Sequence, residues 1–341
     1  MTKSTMGAPP RIWALLGAHA GDNNQVIALA EALQLPFEAK QLEYNQLRHL
    51  GPRLLGSSLL SLTSRSRRAL LAEPPPDVTI SSGHRSVAVA RALHRRSGGR
   101  MHPIHVGFPR VSPRHFDLVI ATPQYPIADH PNVLRVIYAL TRAATSSPDG
   151  ADAAQLAKLP QPRALLIVGG PSLYWKVERA RTLSAIAAML DEARQKKGSV
   201  LVTTSPRTPR TLRNDIARAL KAADVPTLLA EPKRRPAYPS LLAAADSIRI
   251  TADSVAMISD AIWTGKPIAL VPVGKSLLGS LVTPILDPFY RGRPIYPHDL
   301  RGFWRALENV GVTQQVATPE VSTSDELRTI LERVSPIVGS S

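Results

Sequence analysis

The chain has 341 residues, 44% hydrophobic and 20% charged, which is enough for two domains of ordinary size, each with its own core. It contains no cysteine, which excludes disulfides, thiolate metal sites and a cysteine nucleophile, and no run approaches the ~18 uninterrupted apolar residues of a membrane span. The net charge of +16, from 42 Lys and Arg against 26 Asp and Glu, fits either an anionic partner or a solvated basic surface.

Residues 1–10 form a short polar lead without the apolar stretch of a signal peptide, which gives a cytoplasmic expectation. A strand is predicted over residues 12–16, then a helix from about Asn23 with Val26, Leu29, Ala30 and Leu33 on one face. The turn between them, Gly17-Ala18-His19-Ala20-Gly21-Asp22-Asn23-Asn24-Gln25, carries two glycines that permit close backbone approach and polar groups at the helix entry. Asp22 or Asn23 can act as a plain N-cap; equally, His19 and Asp22 at a strand end are what proton transfer at a hydroxyl needs.

Between Tyr44 and Phe116 the only acids are Glu73 and Asp77, whereas arginines recur from Arg48 to Arg114. Within this region, residues 47–71 interleave leucines with Arg65, Arg67 and Arg68. That is the composition of a helix lying in a lipid interface, or of an amphipathic helix packed on its domain with arginines in water; Gly51, Pro52 and Gly56 break it too often to span a bilayer. Strand, glycine turn and helix recur at residues 78–80, Gly83 and residues 86–96, and further strands are predicted at 104–106 and 118–120. Residues 144–162, small, polar and proline-bearing, read as a linker.

The grammar then restarts, with strands at residues 164–168, 200–203, 227–229, 247–250 and 268–273 and terminal helices within 298–338. The expectation is an α/β protein with two Rossmann-like domains: residues 1–143 on the acceptor side, a linker over 144–162, and 163–341 as the nucleotide-binding side. Three turns in the second half suit an anion. Gly169-Gly170-Pro171-Ser172 can present backbone N–H groups to a phosphate, with Ser172 capping a helix or donating to an oxygen. Thr204, Ser205 and Arg207 offer hydroxyls and a guanidinium fork for a diphosphate, or simple surface-loop chemistry. Asp253 or Ser254 caps a helix on which Ser254, Met257 and Asp260 step along one side, so that Asp260 can accept both hydroxyls of a ribose. No HExxH or similar ligand spacing is present, so neither metal nor cofactor is expected.

The segments GAHAGDNNQ, SSGHRSVAVARAL, GGPS, TTSPRTP and TADSVAMISDAIWTGKP, in this order, resemble the bacterial branch of a family named for a plant mitochondrial-fission (elongated-mitochondria) protein, whose bacterial members are described as glycosyltransferases. More remotely, the glycine turn and the last segment are similar to GT-B glycosyltransferases. The resemblance implies two Rossmann-like domains facing across a cleft and no required metal. It implies a catalytic base at Asp22 with His19 beside it, and an acceptor side carrying Gly17, Gly21, Gln25, Gly83, His84 and Arg85. It implies donor contacts at Gly169, Gly170 and Ser172 and at Asp260, the last standing where the family has a ribose-binding Glu after Ser; Thr204, Ser205, Arg207, Asp253 and Ser254, read from their turns, complete the expected donor side. The expected activity is inverting transfer from a nucleotide-sugar donor to a lipid-linked or envelope glycan acceptor, with an anionic membrane surface as a further partner on the inner face of the cytoplasmic membrane. A non-catalytic recruiter on the same scaffold is the alternative. Nucleic acid is disfavoured, because aromatic residues do not regularly interleave the arginines and no recognised nucleic-acid-binding module is present.

Overall fold

The structure, a computed structural model, describes residues 9–142, 149–232, 234–291, 294–295, 299–320 and 322–339. The chain divides into two compact units, Met1–Val136 with Ser324–Ser341, and Ile137–Thr323.

In the first unit the described elements run β1 (Ile12–Leu16), α1 (Ala20–Ala32), β2 (Phe37–Gln41), α2 (Pro52–Leu55), α3 (Ser64–Leu71), β3 (Val78–Ser82), α4 (Val87–Arg96), β4 (His102–Val106), β5 (Leu118–Ala121) and β6 (Val133–Arg135). The strands pair in parallel in the order β2-β1-β3-β4-β5-β6. Apolar runs such as IWALL and LVIA form the interior strands because both faces of a parallel sheet are covered, and Trp13, Leu15, Ile80, Ile104 and Val119 are all buried. The edge strand β2, FEAKQ, differs: Lys40 Nζ reaches carboxylates of Glu38 and Glu73, each at 2.7 Å.

The basic leucine-rich stretch is not one continuous helix. Asn45 caps a 3-10 turn at Gln46–His49, α2 is a single turn behind Gly51, and α3 starts where the Thr63 hydroxyl accepts from the Ser66 N–H at 3.2 Å. Leu55, Leu62 and Leu70 enter the core, while Leu54 is 79% exposed and Leu60 55%.

The second unit contains α5 (Gly150–Leu156), β7 (Arg163–Val168), β8 (Trp175–Lys176), α6 (Arg179–Lys196), β9 (Ser199–Thr204), α7 (Arg210–Lys221), β10 (Thr227–Ala230), α8 (Tyr238–Ala244), β11 (Ser247–Thr251), α9 (Val255–Ile262), β12 (Ile268–Val271), β13 (Gly274–Lys275), α10 (Leu277–Leu286) and α11 (Arg301–Glu308). Its parallel sheet has the order β10-β9-β7-β11-β12, and β8 and β13 form a separate antiparallel pair. A final helix, α12 (Thr323–Gly339), belongs to the first unit apart from its first residue, burying Ile330, Val334 and Val338, with Arg333 donating to the Pro131 carbonyl at 2.7 Å.

The domain arrangement differs from the sequence expectation in three respects. The predicted linker is not a linker throughout: α5 lies in it, and Asp152, 1% exposed, accepts from the Ala237 N–H and the Ser240 hydroxyl, both at 2.8 Å, so this stretch is part of the second unit's core. Residues 143–148 and His298 lie outside the described residues. The unit boundary falls at Val136, and the terminal helix that was grouped with the second half packs with the first.

Candidate functional site

In a parallel sheet, the loops at the carboxyl ends of the strands are where backbone donors and polar side chains collect. In the first unit, the turn after β1 and the turn after β3 meet. The Asn23 amide pins Gly17 from both sides, its Oδ1 accepting from Gly17 N–H at 2.8 Å and its Nδ2 donating to Gly17 O at 2.9 Å. Asn23 is therefore spent on shaping the turn, and α1 begins at an N-cap, His19, without a side-chain cap bond. Gln25 lies on the exposed side, its amide 3.5 Å from Gly21 O, and the space in front of Gly21 is open.

Asp22 is directed at the β3 turn. Gly83 has φ +74°, a conformation that favours glycine, and a Cβ there would fall 2.6 Å from Asp22 Oδ2 and displace that carboxylate. Arg85 Nη1 lies 3.4 Å from His19 Nε2. Burial, reinforced by Arg110, Arg85 and His19, pushes half-buried His84 down to about 4, so its ring is neutral near pH 7. Burial and the Asp22 charge raise Tyr125 to about 12; burial raises Tyr44 as well, with Asp22 adding and Arg85 opposing. The expected residues Gly17, His19, Asp22, Gly83, His84 and Arg85 thus come together; the sequence reading missed Tyr44, Tyr125 and Arg110, which lie in other loops.

In the second unit the three expected turns interlock. The Gly169 N–H donates to Thr251 Oγ1 at 2.8 Å, the Gly170 N–H to Asp253 Oδ2 at 3.0 Å, and Thr251 Oγ1 to Asp253 Oδ1 at 2.6 Å. A Cβ at Gly169 would collide with the Asp253 carboxyl and one at Gly170 with the Arg207 backbone. These glycines serve close loop packing, and both N–H groups expected to face a phosphate are already bonded within the chain. Asp253 is fully buried; burial raises its pKa against the opposing bonds from Thr251 and Gly170. It is a buried brace between loops. Ser254 is the N-cap of α9, accepting from Met257 N–H at 3.4 Å.

No helix follows Gly170 directly. Ser172 closes a turn into β8, its N–H donating to Trp175 O at 2.8 Å, and α6 begins only at Arg179. Thr208, which the sequence reading passed over, ties the next loop: its hydroxyl contacts Gly169 O at 2.5 Å and accepts from Ser205 N–H at 3.0 Å. Arg207 projects from this knot half exposed, donating to Pro171 O at 3.2 Å and lying 3.7 Å from Asp253. Beside it, the Thr204 hydroxyl is buried without a hydrogen-bond partner.

Asp260 accepts from the Thr141 hydroxyl, while Ser259 Oγ accepts from Ala139 N–H at 2.9 Å and Trp263 donates to Ala139 O at 3.0 Å. The carboxyl expected on a ribose is thus bonded to the segment that enters the second unit. Its pKa is raised to about 6 by burial, and the Tyr238 hydroxyl lies close without forming a well-aligned bond.

Next to the Asp253 loop a cavity of about 520 Å³ opens beside the ends of β11 and β12, lined by Ala252, Pro272, Val273, Trp304, Gln314 and Gln315 among others. Trp304 is held by its own N–H to Ala252 O at 2.9 Å and by an edge contact with Trp175, centroids 4.6 Å apart. Among the described residues there is no cluster of three or more metal-binding side chains and no helix long and apolar enough to cross a membrane.

Residues 20–278 match the family model for mitochondrial fission ELM1, a span that includes Asp22, the turn after β3 and the loops of the second unit, while Gly17 and His19 precede it. The chain belongs to the ELM1 family. A curated relative, mitochondrial fission protein ELM1 of Arabidopsis thaliana, is 26% identical over 230 residues, 58% of this chain and 51% of the relative, so the chain spans about half the length of the curated relative it matches. Among solved structures, UDP-GlcNAc 2-epimerase from Methanocaldococcus jannaschii aligns over 95% of this chain and 99% of its own at TM-score 0.53 and 13% identity. A UDP-glucosyltransferase from Polygonum tinctorium aligns over 98% and 93% at TM-score 0.50 and 12% identity. The S. aureus MnaA–UDP structure aligns over 96% and 89% at TM-score 0.52 and 12% identity. This ELM1-family chain therefore has a GT-B-like α/β fold of parallel sheets.

Proposed function

We propose that this ELM1-family chain is an inverting glycosyltransferase that takes its donor on the second unit and its acceptor on the first. The observation that carries the reading is the 520 Å³ cavity at the carboxyl ends of β11 and β12, where an indole and two side-chain amides suit a nucleobase; Arg207 lies 3.7 Å from Asp253, the residue after the cavity's Ala252. Relatives of the fold that bind UDP or act on UDP-sugars support a nucleotide-sugar donor.

In this mechanism the Asp22 carboxylate accepts the proton of an acceptor hydroxyl as its oxygen attacks the anomeric carbon. The anomeric C–O bond breaks with its electron pair leaving on the nucleoside diphosphate. Arg207 and the N-terminus of α9 at Ser254 stabilise that charge electrostatically, in place of a metal. Ser205 offers a hydroxyl to the diphosphate, and the buried Thr204 hydroxyl reaches it only if the loop opens. Asp260 reaches a ribose only by releasing Thr141, and Gly169, Gly170, Ser172 and Asp253 act by shaping the loops. A membrane-associated glycan acceptor is consistent with the basic first unit, where Arg65, Arg67 and Arg68 on α3 and the exposed Leu54 and Leu60 can meet an anionic lipid surface from the cytoplasmic side.

Thermal-shift screening against a panel of nucleotides and nucleotide sugars tests the reading: a bound ligand at about one hundred times its dissociation constant stabilises by ~2.7 kcal/mol. A second reading, a non-catalytic recruiter, is favoured by one observation, that the Gly169 and Gly170 amides and the Asp260 carboxyl already have partners within the chain. It predicts no stabilisation by any member of the panel.

A further inference from the structure

The first unit holds a cavity at the opposite end of its strands from Asp22 and Gly83. Pro103 at the start of β4, Asp117 just before β5 and the residues ending α4 line it, so it lies at the amino ends of the strands. Its volume of about 430 Å³ is within the roughly 300–1,000 Å³ of small-molecule sites. Arg91 and Arg95 enter from α4, Arg114 and His115 from the 3-10 turn before β5. The α4 end turns away through Gly98 and Gly99, both at positive φ, and a Cβ at Gly98 would meet nothing.

Among the described residues the wall carries three guanidinium groups against one carboxylate. Among the described residues no acceptor bonds to the guanidinium of Arg91, Arg95 or Arg114. Neighbouring Arg96, by contrast, is fully used, donating to the carbonyls of Leu70, Leu71 and Glu73. Asp117, the one carboxylate among the described wall residues, is hydrogen-bonded to the His102 ring at 2.7 Å. Arg91 is partly desolvated, and His115 is held below its ordinary value by burial and by Arg91. Three guanidinium groups against one carboxylate leave this concave site with an excess of positive charge that an anion would complete, and guanidinium forks match the oxygens of a phosphate.

We propose that this pocket binds a phosphate ester through Arg91, Arg95 and Arg114, with His115 at its rim. The ligand is either a soluble phosphorylated molecule or a phospholipid headgroup, and the site is independent of the donor site in the second unit. Titration of the full chain with inorganic phosphate, followed on the His115 ring resonance by NMR and assigned through His115→Asn, reads the pocket locally. A saturable displacement is expected, weakened about tenfold or more in the Arg91→Gln/Arg114→Gln double variant and unchanged in the charge-matched control Lys196→Gln/Lys221→Gln, placed on exposed helix positions of the second unit. The same four proteins are sedimented with phosphatidic-acid and phosphatidylcholine vesicles. Loss of phosphatidic-acid binding in the pocket variant alone assigns a lipid headgroup, since the α3 arginines are common to all. Phosphate binding without a vesicle difference assigns a soluble ligand. An unmoved His115 resonance together with equal sedimentation of pocket and control variants overturns the proposal, as does phosphate affinity identical in the two.

Discussion

The carboxyl of Asp260 on α9 is bonded to the hydroxyl of Thr141, five residues after the first unit ends, and is raised to about 6 in the process of burial. For an acid raised from 3.8 to about 6, the folded state binds the proton more tightly, so this group's stabilisation is complete below pH 3.8 and is lost as pH rises through about 6. Asp260→Asn keeps the acceptor for Thr141 and removes the titration. The variant is expected to exceed the native chain in stability at pH 7.5 by roughly 2–3 kcal/mol at most, and to lose that margin at pH 4, as measured by urea unfolding at both values. A constant difference across the range would show that the carboxyl is not protonated in the fold.

Acid acts in the opposite sense through histidine. His84 is lowered from 6.5 to about 4 and buried His105 to about 3, both first by desolvation. A lowered base gives stability that is present above its unfolded value and lost as pH falls from 6.5 toward the folded one. His84→Gln should therefore flatten the decline in Tm between pH 6.5 and 4 without changing Tm much at pH 8. An unchanged slope would mean that His84 titrates normally.

Gly83→Ala tests the coupling of the β3 turn to Asp22. The left-handed backbone costs about 1–2 kcal/mol for a residue with a Cβ, and that Cβ must also displace the Asp22 carboxylate. The expected result is a modest fall in Tm with a much larger fall in transfer rate and unchanged donor affinity. Parallel losses in stability and activity would reduce Gly83 to a folding role.

In the second unit, Asp253→Asn replaces an acceptor with a donor facing the Gly170 N–H or the Thr251 hydroxyl. Leaving either buried group unsatisfied costs about 1–3 kcal/mol, which thermal unfolding of the ligand-free chain should register. Asp253→Asn with native stability would contradict its role as a brace between loops.

Much of this architecture was legible because parallel strands buried on both faces write themselves as short apolar runs, as in IWALL, ALLIV and SVLVT. The edge strand β2 escaped because FEAKQ has no such run and is held by Lys40 and its carboxylates. Helix α5 escaped because it buries little beyond Leu156 and Asp152, whose partners lie 85 and 88 residues further on. The loops of the candidate site were found from their glycines, polar residues and strand ends. What they do there was less legible: a glycine that approaches a ligand and one that makes room for a carboxylate, as Gly169 does for Asp253, look the same in sequence. Trp304 and Gln314 gave no signal, since they reach the β11 and β12 ends only through the folding of the carboxyl-terminal segment.

One paired measurement addresses both Asp22 as the base and the second unit as the donor site. The native chain and Asp22→Asn are compared by calorimetric titration with the nucleotide sugar that gives the largest thermal shift, and by release of nucleoside diphosphate in the presence of acceptor lipids. The account predicts equal donor affinity in the two proteins, with release lost by about a hundredfold or more in Asp22→Asn, because the amide keeps the shape of the carboxylate but not its basicity. Equal release from both proteins would contradict it.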